Sequence, residues 1–588
     1  PGAIAGGGVL EAAAGGGSVT YGSFASFGAG AQGSPPASQY ISAREAGGWS
    51  TQNITAPIFS GTYGTADEGV PYQLFSGDLA RGLLLNGEHC RDGEGSCAVA
   101  NPPLAGTDAP AGYQDYYLRA GGGFEALLGS GDVAGLRPAP ADFDLAFAGA
   151  SPDLRHVVLA TCAKLTADAT EVPQGEGCAG DNLYEWSEGG GLALVNLLPG
   201  ERHGTPGAVL AAQSGAVSED GSRVYFSELE DGALYLREGG QTKLLPETVG
   251  GGASFQTAST DGAFAFFVKG AHLYRYEAAS EEATDLTPAG GVLGVLGASA
   301  AGDAVYYRDG SGLERWHAGA TTTVAAGAGA AEAGDYPPTT GTARVSADGS
   351  RLLFVSAAPL TGYDNTDLSS GEPDRQVYLY DANAAEPLAC VSCNPTKGRP
   401  IGPSSIPGAV ANGTAAGSAD SYKPRVLSAS GRRVFFDSRD ALVLSDTNKD
   451  DDAYEWEAQG EGGCARAQGC VSLISSGRAS EGASFVDASA DGSDAFFLTD
   501  GSLVPADPGA VDLYDARAGG GFPEPAQPII CEGDNCQSLP PAPVDPTLTT
   551  LQPGPGNPPV RYQHRHKRHH KHRHRGKHRH GKRHGSPR

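Results

Sequence analysis

The 588-residue sequence has no methionine, only four Trp, and no unbroken apolar run of the ~18 residues that a transmembrane helix requires. Its longest apolar stretches, such as residues 290–301, are diluted by Gly and Ser, so no membrane span is expected. The opening residues, Pro-Gly-Ala-Ile-Ala-Gly-Gly-Gly, lack the charged region and apolar core of a signal peptide, and a processed mature chain or a fragment is expected. With 88 Gly and 40 Pro, a helical protein is excluded. Catalytic signatures are missing as well: there is no Gly-x-Ser-x-Gly elbow, no His-Glu-x-x-His and no Gly-x4-Gly-Lys-Ser/Thr phosphate loop. The five His outside the C-terminal tail, His89, His156, His203, His272 and His317, are scattered along the chain and read as surface or satisfied core residues.

Charge is present but unevenly placed. The chain carries 41 Lys plus Arg and 68 Asp plus Glu, a net of −27. Residues 561–588 hold 12 of the basic residues, nine of the 14 His and no acid, which leaves the other 560 residues at −39. An acidic body that repels nucleic acid and anionic membranes therefore bears a polycationic tail that seeks anions.

The ten cysteines fall into five short-range pairs: Cys90 with Cys97, Cys162 with Cys178, Cys390 with Cys393, Cys464 with Cys470, and Cys531 with Cys536. Local pairing of an even count predicts disulfide-clamped loops and an extracellular or cell-wall location. Zinc and redox alternatives rest on Cys390-Val-Ser-Cys393 alone, and the Asn394-Pro395 that follows signals a turn and not the helix of a reactive thiol site.

A repeat organises the body. Its clearest copies are V-S-E-D-G-S-R-V-Y-F from Val217, A-S-T-D-G-A-F-A-F-F from Ala258, V-S-A-D-G-S-R-L-L-F from Val345 and A-S-A-D-G-S-D-A-F-F from Ala488. Looser copies start at Ala12, Phe75, Ala150, Ala298 and Leu427, making nine units spaced 40 to 82 residues apart. Each has a later aromatic landmark: Tyr40, Tyr117, Tyr184, Tyr235, Tyr274, Trp316, Tyr378, Tyr454 or Tyr514. Alternation around these residues predicts strands, the landmarks are expected to pack blade against blade, and each Asp-Gly predicts a type I′ hairpin turn. Short strands repeated in this way predict an all-β fold: a single large β-propeller of eight or nine four-stranded blades over residues 1–536, a Pro-rich linker over 537–560 and a disordered tail over 561–588. The Ser-x-Asp-Gly turn between the first two strands of each unit resembles the TolB-type, WD-like propeller repeat over roughly residues 10–530. Trp49-Ser50-Thr51, the C-V-S-C-N-P at Cys390 and the G-C-V-S-L-I-S-S-G at Gly469, with Arg outnumbering Lys 31 to 10, resemble large exported actinobacterial proteins.

Two regions carry candidate ligand chemistry. Asp446, Asn448, Asp450, Asp452 and Glu457 stand at positions one, three, five, seven and twelve of a stretch that mimics a calcium loop. Asp451 replaces the usual turn Gly and the Tyr454 segment reads as a strand, so a solvated acidic turn is the competing reading. Asp364, Asn365, Asp367 and Asp374 form a looser version. In the tail, Arg565, Lys567, Arg568, Lys571, Arg573, Arg575, Lys577 and Arg579 suit a polyanion such as a cell-wall polymer. His569, His570, His572 and His574 suit Zn²⁺, Cu²⁺ or Ni²⁺, and a plain solvated tail folded on the acidic body is the third reading. The expectation is an exported propeller that binds a protein or glycan through its blade loops, with the tail as anchor. The alternatives are an extracellular hydrolase or lyase centred on the channel, or a tail that serves as a transition-metal binder.

Overall fold

The structure is a computed structural model that describes residues 8–523 except 24–26, 30–37, 57–71, 87–102, 112, 114, 130, 133–144, 171–179, 201–206, 211–214, 230–231, 247–251, 328, 410–421, 506 and 508. The linker, the tail, Cys90, Cys97, Cys178, Cys531 and Cys536 lie outside them.

Nine antiparallel sheets follow one another along the described chain, eight of four strands and the last of three. Blade 1 runs from Glu11–Ala12 to Gly48–Asn53, blade 2 from Tyr72–Phe75 to Gly123–Ala126, and blade 3 from Ala146–Ala150 to Gly191–Leu194. Blade 4 spans Ala208–Leu210 to Gln241–Leu244, blade 5 Ser254–Ala258 to Glu282–Asp285, and blade 6 Gly294–Ala298 to Ala320–Ala326. Blades 7, 8 and 9 begin at Arg344–Val345, Ser404–Ser405 and Ala483–Ala488, and blade 9 ends with Asp512–Arg517. The chain is a nine-bladed β-propeller, which decides between the eight and nine blades expected from the repeat.

Each blade is stacked between two others, so its middle strands must be apolar on both faces. In Phe264–Lys269 of blade 5, Ala265 and Phe267 join the cluster of blade 4 residues Tyr225 and Leu234. Their neighbour Phe266 points the other way, into a cluster with Val295, Val305 and Tyr307 of blade 6. The two-residue period of a strand thus becomes the glue on both sides of every blade.

The turn between the first two strands differs from the expected type I′. In Ser218–Gly221 the Gly221 N–H donates to Ser218 O at 2.9 Å, and only Gly221 takes a positive φ, +67°. Asp220 serves instead as an acceptor, taking Ser218 Oγ at 2.8 Å and the Ser222 N–H at 3.0 Å, while Ser218 Oγ accepts the Arg223 N–H at 3.0 Å. The same Ser-to-Asp bond recurs at Ser76, Ser151, Ser259, Ser346 and Ser489. Gly221 is required twice over, since a Cβ there would also lie 2.0 Å from the His156 ring of the preceding blade. Leu79 and Leu154 occupy the equivalent positive-φ position in blades 2 and 3 and are buried.

The residue after the turn Ser links one blade to the next. Ala14 N–H donates to Gly77 O at 2.7 Å, Gly77 to Pro152 at 3.3 Å, Glu219 to Thr260 at 2.8 Å, Thr260 to Ala300 at 2.9 Å and Ala300 to Ala347 at 2.9 Å. Ala429 N–H donates to Ala490 O at 2.6 Å, and Ala490 returns to Ala14 at 2.7 Å, which closes the ring between its last and first blades. Pro152 has no N–H to give. Between Ala347 and Ala429 the connection is made by Arg351 Nη1 to Ser430 O at 2.9 Å.

Closure is reinforced by Asp487, fully buried at a bulge in the first strand of blade 9. Its carboxylate accepts Ala12 N–H (2.8 Å) from blade 1, and Tyr422 Oη (2.8 Å), Arg425 N–H (2.8 Å) and Arg425 Nη2 (3.0 Å) from the segment entering blade 8. Removing one partner of such a buried network is expected to cost ~3–5 kcal/mol. Asp487→Ala should therefore show that loss in urea unfolding, with Asp487→Asn less affected. Leu154→Gly relaxes backbone strain of ~1 kcal/mol but forfeits more by leaving a cavity. A net loss of about 2 kcal/mol is expected, and a stabilised Leu154→Gly would show that backbone strain dominates at that turn.

Candidate functional site

Three clefts open at consecutive blade junctions. Between blades 7 and 8 a cavity of about 160 Å³ is lined by Arg344, Ser346, Ala347, Lys423, Arg425 and Ala429, at the place where the direct backbone link is missing. Its cations are already engaged. Arg344 Nη2 donates to Pro407 O at 2.8 Å and Lys423 Nζ to Pro338 O at 2.8 Å. Burial depresses the Lys423 ammonium to about 6. Between blades 8 and 9 a cavity of about 270 Å³ holds Arg433, Glu455 and Glu457. Arg433 closes on Glu455 at 2.9 Å, Glu457 at 3.1 Å and Glu461 at 3.3 Å.

The third cleft, about 290 Å³, lies where blade 9 meets blade 1. Blade 1 supplies Tyr21, Ser42, Trp49 and Thr51, blade 9 supplies Phe496, Asp512, Leu513 and Asp515, and Phe27 leans in from the loop. Phe27 stacks on Tyr40 at 4.1 Å, and Trp49 meets Phe496 edge-on at 6.2 Å. Arg44 lies over the Trp49 ring at 5.8 Å and reaches Asp515 at 3.3 Å. Ser42 Oγ is 2.8 Å from Thr51 Oγ1 and 3.1 Å from Tyr21 Oη. Asp515 has a side chain 6% exposed, and its Oδ1 has no hydrogen-bond partner. Burial and the neighbouring Asp494 push Asp515 up to about 7. Aromatic faces set beside hydroxyls and carboxylates form the mixed surface that a polyhydroxylated ligand requires. No local motif announces it, because its two halves come from opposite ends of the sequence.

Asp446 and Asp452 are buried, Asn448 Oδ1 accepts the Asp450 N–H at 3.0 Å, and Glu457 stands at the far end of the strand Asp452–Glu457, paired with Arg433. Asn365 Nδ2 donates to Asp374 O at 2.6 Å, and Asp367 Oδ1 accepts Ser369 N–H at 2.7 Å. Disulfides join Cys390 to Cys393 and Cys464 to Cys470, and Cys162 is disulfide-bonded. The imidazoles of His156, His272 and His317 each face a carboxylate, at 2.6, 3.0 and 3.8 Å. His89, His203 and the tail residues lie outside the described chain. Among the described residues no helix is long and apolar enough to cross a membrane.

No family model matches the chain, and no curated protein matches it. Solved structures similar to it include dipeptidyl peptidase 4 of Porphyromonas gingivalis at 12% identity, covering 69% of this chain and 55% of that one, with a TM-score of 0.38. Another is an oligogalacturonate lyase in complex with manganese at 13% identity, covering 62% and 85%, with a TM-score of 0.30. TolB of Acinetobacter baumannii shows 14% identity over 61% and 75%, with a TM-score of 0.23. The chain thus matches only about half the length of the peptidase.

Buried acids set the pH response of the propeller. Burial raises Asp437 to about 8, Glu455 and Asp515 to about 7, and Asp335 to about 6. Between the ordinary carboxylate range and these values the native state holds more protons than the unfolded chain, so stability falls as pH rises from about 4 to 8. Lys423 opposes this trend alone among these groups, gaining stability as pH rises above about 6. The turn acids Asp220 and Asp348, lowered to about 2 by hydrogen bonds from their Ser neighbours, lose their contribution as pH falls from about 4 to 2. The melting temperature should therefore peak near pH 4; a maximum at pH 8 would contradict the burial of these acids.

Proposed function

We propose that this chain is an exported β-propeller that acts as a binding and scaffold module, holding a glycan in the cleft between its first and last blades. Its basic His-rich tail anchors it to an anionic cell-wall polymer. The cleft carries the reading: Tyr21, Phe27 and Trp49 offer stacking faces, and Ser42, Thr51 and Asp515 offer hydrogen bonds. Disulfide-bonded Cys390, Cys393, Cys464 and Cys470 agree with an oxidising compartment. Support for the anchor is electrostatic, since 12 cations without an acid between residues 561 and 588 release counterions from any polyanion they meet. Binding is favoured over channel-centred hydrolysis or lysis because Asp487, the fully buried carboxylate of the innermost strand of blade 9, is saturated by donors from blade 1 and from the segment entering blade 8.

Affinity electrophoresis through a panel of neutral polysaccharides tests the cleft. Trp49→Ala should abolish the retardation that the parent chain shows on at least one of them, and a parent chain that migrates freely through all of them refutes the glycan reading. Sedimentation with purified cell walls across a salt series tests the tail. A chain ending at Pro559 should remain in the supernatant under low-salt conditions that pellet the full chain, whereas equal pelleting of the two would remove the anchor. Acidification through about pH 6 should strengthen retention by charging the nine tail His.

A further inference from the structure

Two carboxylates of blade 8 are buried together without a counter-charge. Asp446, in the turn after the strand Arg433–Ser438, is 6% exposed, and Asp452, first residue of the next strand, is 0% exposed. Asp446 Oδ2 accepts the Tyr454 hydroxyl, and Asp452 Oδ1 accepts Ser475 Oγ at 2.6 Å and the Gly477 N–H at 3.3 Å. The remaining oxygens, Asp446 Oδ1 and Asp452 Oδ2, are sealed from solvent and have no hydrogen-bond partner. Among the described residues neither carboxylate faces a cation: the nearby charges are further acids, Asp440 on Asp446 and Asp446 on Asp452, and the neutral Asn448 lowers Asp446 through its backbone N–H and Asp452 through its side chain. Two orphaned acceptors of the same sign, shielded from bulk solvent, call for a cation.

We propose that this turn binds a calcium ion through Asp446 Oδ1 and Asp452 Oδ2, with the second lone pair of Asn448 Oδ1, backbone carbonyls and water completing the shell. The donors are all hard oxygens, which selects an alkaline-earth ion over zinc or copper, and a turn rich in carbonyls suits the irregular shell of calcium better than the strict octahedron of magnesium. Among the described residues no three acidic, His or Cys side chains gather at metal-binding distance, so the site has two protein carboxylates. That count places it with weak sites of ~10⁻⁴–10⁻³ M, suited to extracellular calcium. Glu457 is no ligand, because Arg433 holds it at the other end of the strand. The occupied turn would brace the passage from blade 8 to blade 9: Thr447 N–H already donates to Gly477 O at 2.8 Å, Asn448 Nδ2 to Ala479 O at 3.1 Å, and Ala483 N–H to Asp451 O at 2.7 Å.

Calcium titration of the full chain by calorimetry, with magnesium as control, tests the site alongside terbium luminescence sensitised through Tyr454 and Trp456. The wild type is expected to bind one more calcium than the Asp446→Asn/Asp452→Asn double variant, to melt a few degrees higher in about 10 mM calcium, and to give terbium emission that calcium displaces. In the absence of calcium, Asp452→Asn should melt no lower than the wild type, because only an uncompensated charge is lost. Equal stoichiometry in the two chains, or a wild type indifferent to calcium, overturns the proposal. So does an Asp452→Asn chain that is destabilised in calcium-free buffer and keeps its full calcium response.

Discussion

A ring of blades is only as sound as the junction at which the chain's ends meet, and here that junction is noncovalent among the described residues. Ala490 reaches Ala14 through one backbone hydrogen bond, and Asp487 ties Ala12 to the segment entering blade 8. A single backbone bond contributes about 0.5–1.5 kcal/mol net, so the belt of turn-to-turn links is a modest part of the total. The alternating apolar residues between blades supply the larger share, since each fully buried Phe or Leu contributes ~1.5–3 kcal/mol. The division of labour follows from directionality. Apolar contact is indifferent to a shift of an ångström along the strand, whereas a chain of N–H to O=C bonds through successive turns permits one relative height for each blade.

Where the signal was local, the sequence was readable. Ser, Asp and Gly in the turn between the first two strands satisfy each other within six residues, and that spacing survives in blades that have lost the rest of the motif. The aromatic landmarks bury their rings in the core, and their hydroxyls matter as much. Tyr117, Tyr184, Tyr454 and Tyr514 accept backbone N–H groups from Leu104, Leu165, Leu442 and Leu503, pinning the loop between the second and third strands of their blades. The recurring Leu before each Tyr was the available clue. Asp-Gly alone predicts a type I′ turn, but the Ser two residues earlier turns the Asp into an acceptor and leaves positive φ to Gly alone.

Long-range features left no such trace. Tyr21 and Asp515 share a cleft across almost five hundred positions, and nothing in either neighbourhood refers to the other. Glu457 fits a calcium loop by count, but an extended strand advances ~3.3 Å per residue and carries it away from Asp452 to Arg433. Residues 12–16, Ala-Ala-Ala-Gly-Gly, lack the Ser and Asp of the repeat and still complete the belt, because a backbone link depends on the path of the chain and not on its side chains.

The three clefts fall on one arc, from blade 7 through blades 8 and 9 to blade 1. Blades 4 to 6 follow each other at the shortest intervals, with turns linked directly from Glu219 to Ala347. On the arc, the entry to blade 8 is split between Ser404–Ser405 and an isolated bridge at Leu427, and the inserted chain places Tyr422, Lys423 and Arg425 among the innermost strands. Polar groups brought inside in this way must be paired, and pairing spaces blades apart where apolar packing would draw them together. A ligand that entered the cleft between blades 9 and 1 would bear on Arg44 and Asp515, which stand beside Asp494 and hence beside the turn at Gly16 that carries the closing link. Occupancy of the cleft and closure of the ring are therefore mechanically joined through a few side chains.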